Sequence, residues 1–141
     1  STVGSARRTA TNSGAGRWHA VAVPGTFTAW SSGKPVNVAI TEWSAADTYE
    51  AVTSFSCSSG LYTSNKTTIT WNSPSPGGIG SNTTALRMVA THEFGHAYGL
   101  NHMSTTCNGT KTVMVQGKTK WSCSWGTEPW QDDINGVDAI Y

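Results

Sequence analysis

The chain has 141 residues, the length of one ordinary domain, and can bury a single core without a partner. Charged residues make up 12% and the formal net charge is +1, so no basic footprint for nucleic acid or an anionic membrane surface is present. No apolar run approaches the roughly 18 residues that a membrane span needs, and seven Trp and four Tyr amid abundant Ser, Thr, Asn and Gly suit an extracellular, β-rich surface.

In chain order, "SARRTATNSGAGRW" has no clean period and two glycines, so residues 1–18 read as either a loose arm or a frayed helix. The runs "WHAVAV", "VNVAI", "TYEAVTSF" and "TTITW" are short and β-branched or aromatic. They are separated by turn-rich "SSGKP", "CSSG" and "SPSPGG", which predicts four strands before Pro74. From about Thr84 to Tyr98, Leu86, Val89, Ala90, Phe94 and Ala97 recur at helical spacing, and Gly99 follows as a stop. Residues 103–128 are irregular. Of the three cysteines, Cys107 and Cys123 lie sixteen positions apart in this stretch, which favours a bridge between them over two unpaired thiols, and Cys57 is left over. "PWQDDINGVDAIY" opens with Pro and acids and predicts a short closing helix.

The stretch "ATHEFGHAYGLNHM" holds three of the four histidines. On a helix, His92 and His96 project from one face, so both imidazoles reach one ion. A third ligand cannot come from that face. Gly99 permits the chain to turn back, and His102 completes three neutral nitrogen ligands with a fourth position for water, the pattern of a catalytic zinc. A structural zinc site is usually closed by a fourth Cys or His and has no task for Glu93.

"HEFGHAYGLNH" resembles the His-Glu-x-x-His-x-x-Gly-x-x-His signature of the metzincin zinc metalloendopeptidases. That resemblance implies an α+β, zincin-like fold: a small twisted sheet, an active-site helix, a Met-turn and a short C-terminal helix. It implies one catalytic domain over 1–141, with an upper part of about 1–100 and a lower part of about 101–141 across the cleft. Met114 in "TVMVQG" falls where the Met-turn methionine belongs, and Gly99 and Met114 would support the site. "QDDINGVDAIY" resembles the closing helix of matrixins, in which Asp132 and Asp133 would be structural, tying the N-terminal arm or the Met-turn loop. The alternative makes them helix-start acids. Two positions depart from the matrixin pattern: Met103 stands where Ser or Thr follows the third histidine, and Gln116 where Pro follows the methionine by two. Small secreted bacterial metzincins match in length. Matrixins also bind a structural zinc through upstream histidines, and here only His19 lies upstream, so one zinc is expected. Calcium is possible but not indicated, because only eight acidic residues are present and no dense Asp-rich loop.

The implied activity is hydrolysis of peptide bonds in extracellular proteins or peptides by a zinc-bound water, with Glu93 as general base and then acid. Tyr98 and Trp130 are secondary candidates as electrophiles. The peptide would add to an exposed sheet edge, with "TYEAVTSF" the candidate. The other class of function is a zinc-binding recognition or inhibitory module with little turnover, and a Cys57 thiolate on the zinc would make a latent enzyme. The expected setting is that of a secreted, mature monomer with a protein or peptide substrate, no nucleic-acid or membrane partner and no leader before Ser1.

Overall fold

A computed structural model describes residues 3–29, 38–44, 48–55, 57–58, 61–62, 67–73, 75–117 and 119–141. Helix α1 spans Ser5–His19, strands β1 and β2 span Val38–Trp43 and Ala51–Ser54, and β3 (Cys57–Ser58) pairs with β4 (Leu61–Tyr62). Strand β5 (Thr67–Asn72) precedes helix α2 (Thr83–Ala97), and the short α3 (Thr119–Ser122) and α4 (Gln131–Ile140) follow. The fold is α+β.

Strand β5 is the middle of a three-stranded mixed sheet in the order β1-β5-β2. It runs parallel to β1, with Ile40 opposite Ile69, and antiparallel to β2, with Thr53 opposite Ile69. Thr67, Ile69 and Trp71 alternate as buried residues of β5, the period-2 signature of one face packed on a core. Ile69 joins a cluster with Trp18, Phe94, Tyr98, Leu100, Val113, Met114 and Val137. Trp71 joins a second cluster with Ala10, Ala51, Leu86, Val89 and Ala90. Both clusters meet along α2, which lies between the sheet, α1 and the C-terminal segment.

Residues 5–19 are a helix because packing decides what periodicity left open. Ala10, Thr11, Gly14 and Trp18 are its buried face, and the small residues among them let α1 approach α2 closely. The Trp18 indole donates to the Thr91 carbonyl at 2.9 Å, and the Trp71 indole donates to Thr11 Oγ1 at 3.0 Å. The start of α1 is anchored to β1, where Arg7 pairs with Glu42 at 3.1 Å and the Gly4 amide donates to the same carboxylate at 2.6 Å.

The sequence expectation fails at "WHAVAV". Trp18 and His19 close α1, and Val21 and Val23 follow in a turn, partly buried against the first cluster. Alternation of apolar residues there reflects successive packing against the first cluster and not a pleated strand. "TYEAVTSF" and "TTITW" contain β2 and β5; "VNVAI" contributes the start of β1, its first two residues lying outside the described ones. The two-residue β3 and β4 and the single turn α3 were too short to leave a periodic signal. α2 and α4 fall where helical spacing predicts them. Asn82 caps α2 by accepting from the Ala85 amide at 3.0 Å. Cys107 and Cys123 form a disulfide, with Cα atoms 5.1 Å apart. Among the described residues, no helix is long and apolar enough to cross a membrane.

Candidate metal centre and cleft

His92, Glu93 and His96 sit on α2, and the two histidines leave it one turn apart. The helix ends at Tyr98, and Gly99 takes a φ of +100°, the left-handed region that side chains rarely adopt. The chain reverses there and returns His102 to the helix. Its Nε2 lies 3.0 Å from His96 Nε2 and 3.2 Å from His92 Nε2. The Leu100 carbonyl, just past the turn, meets His96 Nδ1 at 2.7 Å, and the Val113 carbonyl meets His92 Nδ1 at 2.7 Å.

A carbonyl only accepts, so each of these Nδ1 atoms carries the proton and each Nε2 presents its lone pair. Bare lone pairs crowded at these separations repel one another unless a cation lies among them. Ligands about 2.0–2.1 Å from a tetrahedral zinc stand about 3.3 Å apart, close to the separations seen. The ligand atoms of His92, His96 and His102 all lie within 4.8 Å of one another. This donor set fits zinc. Burial, as the first cause, holds all three imidazoles below their ordinary pKa, His92 furthest, and the Lys120 charge adds to it. At neutral pH the histidines are therefore neutral and ready as ligands.

Glu93 is buried, and burial pushes its carboxyl up to about 7, against the hydrogen bond from Thr53 and the Lys120 charge, which pull it down. The Thr53 hydroxyl lies 2.6 Å from Glu93 Oε2 and 3.1 Å from the Glu93 carbonyl. Such a carboxyl exchanges a proton near neutral pH, the property a general base and acid needs.

The histidines and Glu93 line a cavity of about 730 Å³, together with Thr48–Thr53 and Phe55 on one side and Gln116, Gly117, Lys120 and Trp121 on the other. Strand β2, at one edge of the sheet, forms the first wall. Beneath the site, Met114 is buried, and its sulfur occupies the space that a side chain on Gly95 would need. Glycine at 95 thus lets the Met114 sulfur lie directly against α2. Asp133, on α4, holds the Met114 segment: it accepts from Thr112 Oγ1 at 2.5 Å, from the Val113 amide at 3.0 Å and from the Trp130 amide at 2.8 Å. Thr112 Oγ1 in turn accepts from the Met114 amide at 2.9 Å.

The model of the family described as matrixin, peptidase M10, matches residues 41–141. The chain belongs to the matrixin family. No curated protein matches it at a significant level. Membership brings zinc-dependent metalloprotease activity as a class, with protein or peptide substrates. The match runs from β1 to the last residue and leaves out α1, which nonetheless packs along α2. The two departures from the matrixin pattern are accommodated. Met103 forms a β-bridge to Val115 through main chain, its amide donating to the Met114 carbonyl at 3.0 Å, and Gln116 sits exposed at the cleft.

Two residues considered from sequence lie elsewhere in this matrixin. Tyr98 is buried against Trp18 and Phe27, and its hydroxyl donates to the Gly25 carbonyl at 3.2 Å. Trp130 caps α4, with Lys111 over its ring at 4.7 Å. Neither lines the cavity. His19 Nε2 accepts from the Phe27 amide at 2.7 Å, which ties the loop after α1. The Cys57 side chain lies outside the described ones.

Four contributors had no sequence reading as site residues: Thr53, the carbonyls of Leu100 and Val113, and Lys120. The last is buried, donates from Nζ to the Val113 carbonyl at 3.0 Å and has its pKa lowered by burial to about 8.

Proposed function

We propose that this matrixin is a zinc-dependent endopeptidase that hydrolyses peptide bonds of extracellular proteins or peptides. The observation that carries it is the convergence of three histidine Nε2 atoms beside a proton-exchanging Glu93 in a cleft walled by a sheet edge. His92, His96 and His102 hold the metal, which when bound supplies Lewis acidity toward a carbonyl and toward water. Glu93 takes the proton of the attacking water as the carbon–oxygen bond forms, then delivers it to the amine nitrogen as the carbon–nitrogen bond breaks. Strand β2 takes the peptide as an added strand, which reads main chain in general and side chains through the cavity. Burial of Glu93 keeps competing water from solvating the carboxylate. The disulfide and the aromatic, charge-poor composition support secretion.

The test is incubation with a peptide library, with and without a chelator, followed by mass spectrometry of the cleavage sites. Wild type cleaves only without chelator. Glu93→Ala keeps about one zinc per chain and loses at least about a hundredfold in rate. Zinc binding without cleavage of any peptide would make the protein a recognition module instead.

A further inference from the structure

In an antiparallel pair, alternate residues turn their main-chain groups toward the partner and away from it. The Asn72 amide donates to the Glu50 carbonyl at 2.8 Å, and Glu50 lies directly opposite Asn72 in the β2–β5 register. Residues 50, 52 and 54 therefore direct N–H and C=O toward β5, whereas Ala51 and Thr53 direct theirs to the other side of the strand. Among the described residues no strand lies on that side, and it is the side that lines the cleft. The same alternation sends the side chains of Ala51 and Thr53 to one face, that of α2, where Ala51 is buried. Thr53 thus faces two ways. Its main chain is at the edge where a peptide would pair, and its hydroxyl touches Glu93.

That hydroxyl lies 2.6 Å from Glu93 Oε2 and 3.1 Å from the carbonyl of the same residue. A single oxygen within reach of both the tip and the root of one side chain restricts every torsion between them. It also occupies Oε2, leaving Oε1 for the reaction. We infer that Thr53 is a positioning residue, which fixes the Glu93 carboxylate and couples its orientation to the docking of a peptide main chain on β2. The inference rests on the endopeptidase reading for its catalytic consequence, but the geometry it describes exists without metal.

The chemistry requires a hydroxyl at this strand position, which makes the substitutions discriminating. Thr53→Val keeps shape and strand propensity and removes the donor. Thr53→Ser keeps the donor and removes a methyl. Under this inference Thr53→Val binds one zinc as wild type does and shows kcat lowered by about tenfold with KM nearly unchanged, because a misdirected base loses rate without losing main-chain pairing. Thr53→Ser recovers most of that loss. Independently of activity, crystal structures of the metal-free proteins show one Glu93 side-chain conformer in wild type and Thr53→Ser, and a rotated or multiple conformer in Thr53→Val. An unchanged Glu93 conformer in Thr53→Val overturns the inference, as does a rise in KM with kcat intact, which would assign Thr53 to peptide binding alone. If wild type cleaves no peptide at all, the endopeptidase reading falls, and the conformer comparison still decides whether Thr53 positions Glu93.

Discussion

Asp133→Ala removes the carboxylate that ties the Met114 segment to the start of α4. Asp133 is buried and receives the Thr112 hydroxyl, the Val113 amide and the Trp130 amide. Each hydrogen bond to a charged acceptor contributes about 1.5–3 kcal/mol, and a buried amide left without an acceptor forfeits its solvation as well. Against this, burial raises the Asp133 pKa, so its charge already carries a desolvation penalty that alanine would relieve. The balance is a loss of about 3–5 kcal/mol, a large share of the 5–15 kcal/mol that usually holds a domain folded. With a urea slope of about 1–3 kcal/mol per molar, the midpoint falls by about 2 M. The loss also reaches the metal centre, because the Val113 carbonyl supports His92. Zinc affinity, measured by competition with a chromophoric chelator, falls by about 10–100-fold.

Asp133→Asn separates charge from geometry. Its amide oxygen can take the place of Oδ2 and keep both backbone donors, while its NH2 faces a Thr112 oxygen that must then give up donating to residue 133. The expected loss is about 1–2 kcal/mol. Asp132, beside it in the first turn of α4, contributes only as a helix-start acid, and Asp132→Ala stays within about 1 kcal/mol of wild type. Unfolding is followed on metal-free protein, since bound zinc would add its own stabilisation. The reasoning is refuted if Asp133→Ala unfolds within about 1 kcal/mol of wild type, or if Asp132→Ala is equally destabilised.

His102→Ala leaves two ligands on α2, so zinc that survives dialysis in wild type at one ion per chain is lost; two tightly held ions in wild type would contradict the single site. Gly95→Ala puts a methyl where the Met114 sulfur sits. Although alanine favours a helix by about 1 kcal/mol over glycine, overpacking at a backbone-anchored site costs about 1–3 kcal/mol, so Tm falls, and an unchanged or higher Tm would show that Met114 yields freely. Lys120→Met tests a buried charge. Its pKa drops in the fold from 10.5 to about 8, so the protonated form is disfavoured there. The penalty is full below pH 8 and fades as pH rises toward 10.5, the unfolded value. At pH 7 it is about 3 kcal/mol, reduced by the loss of the bond to the Val113 carbonyl, and the variant is more stable than wild type by about 2 kcal/mol. Denaturation at pH 7 and pH 10 checks this, and a gap of the same size at both would exclude the cause given.

Much of the centre was legible because it is local. His92, Glu93, His96, Gly99 and His102 lie within eleven residues, and the helix period with one glycine turn converts that spacing into convergence. α2 and α4 were legible for the same reason, their apolar residues recurring at three and four. The edge strand in "TYEAVTSF" was legible from β-branched composition, although β2 itself spans only Ala51–Ser54, with Glu50 paired just before it. Asp133 was half legible. The acidic pair marked a helix start, but only the fold separates the one that turns inward to Thr112 from its neighbour.

What the sequence hid is the layer behind the ligands, and the reason is physical. Two of the supports are main-chain carbonyls, Leu100 and Val113, which every residue possesses, so no residue type betrays them. Thr53 reaches Glu93 from forty positions away, and Lys120 reaches Val113 from a single turn of helix too short to show a period. Helix α1 was hidden differently: its buried face is made of Ala, Thr, Gly and Trp, so the contrast that defines an amphipathic helix is weak, and only the surface of α2 against it gives those small residues a reason. Ligand identity is set by chemistry that few residue types can perform, which makes it readable from a short string. Ligand orientation is set by whichever donor or acceptor the fold brings within about 3 Å, and that depends on contacts no local pattern encodes. The same division explains why Met103 and Gln116 can depart from the matrixin pattern without disturbing the centre: Met103 bridges Val115 through main chain while its side chain packs on the first cluster, and Gln116 is exposed at the rim.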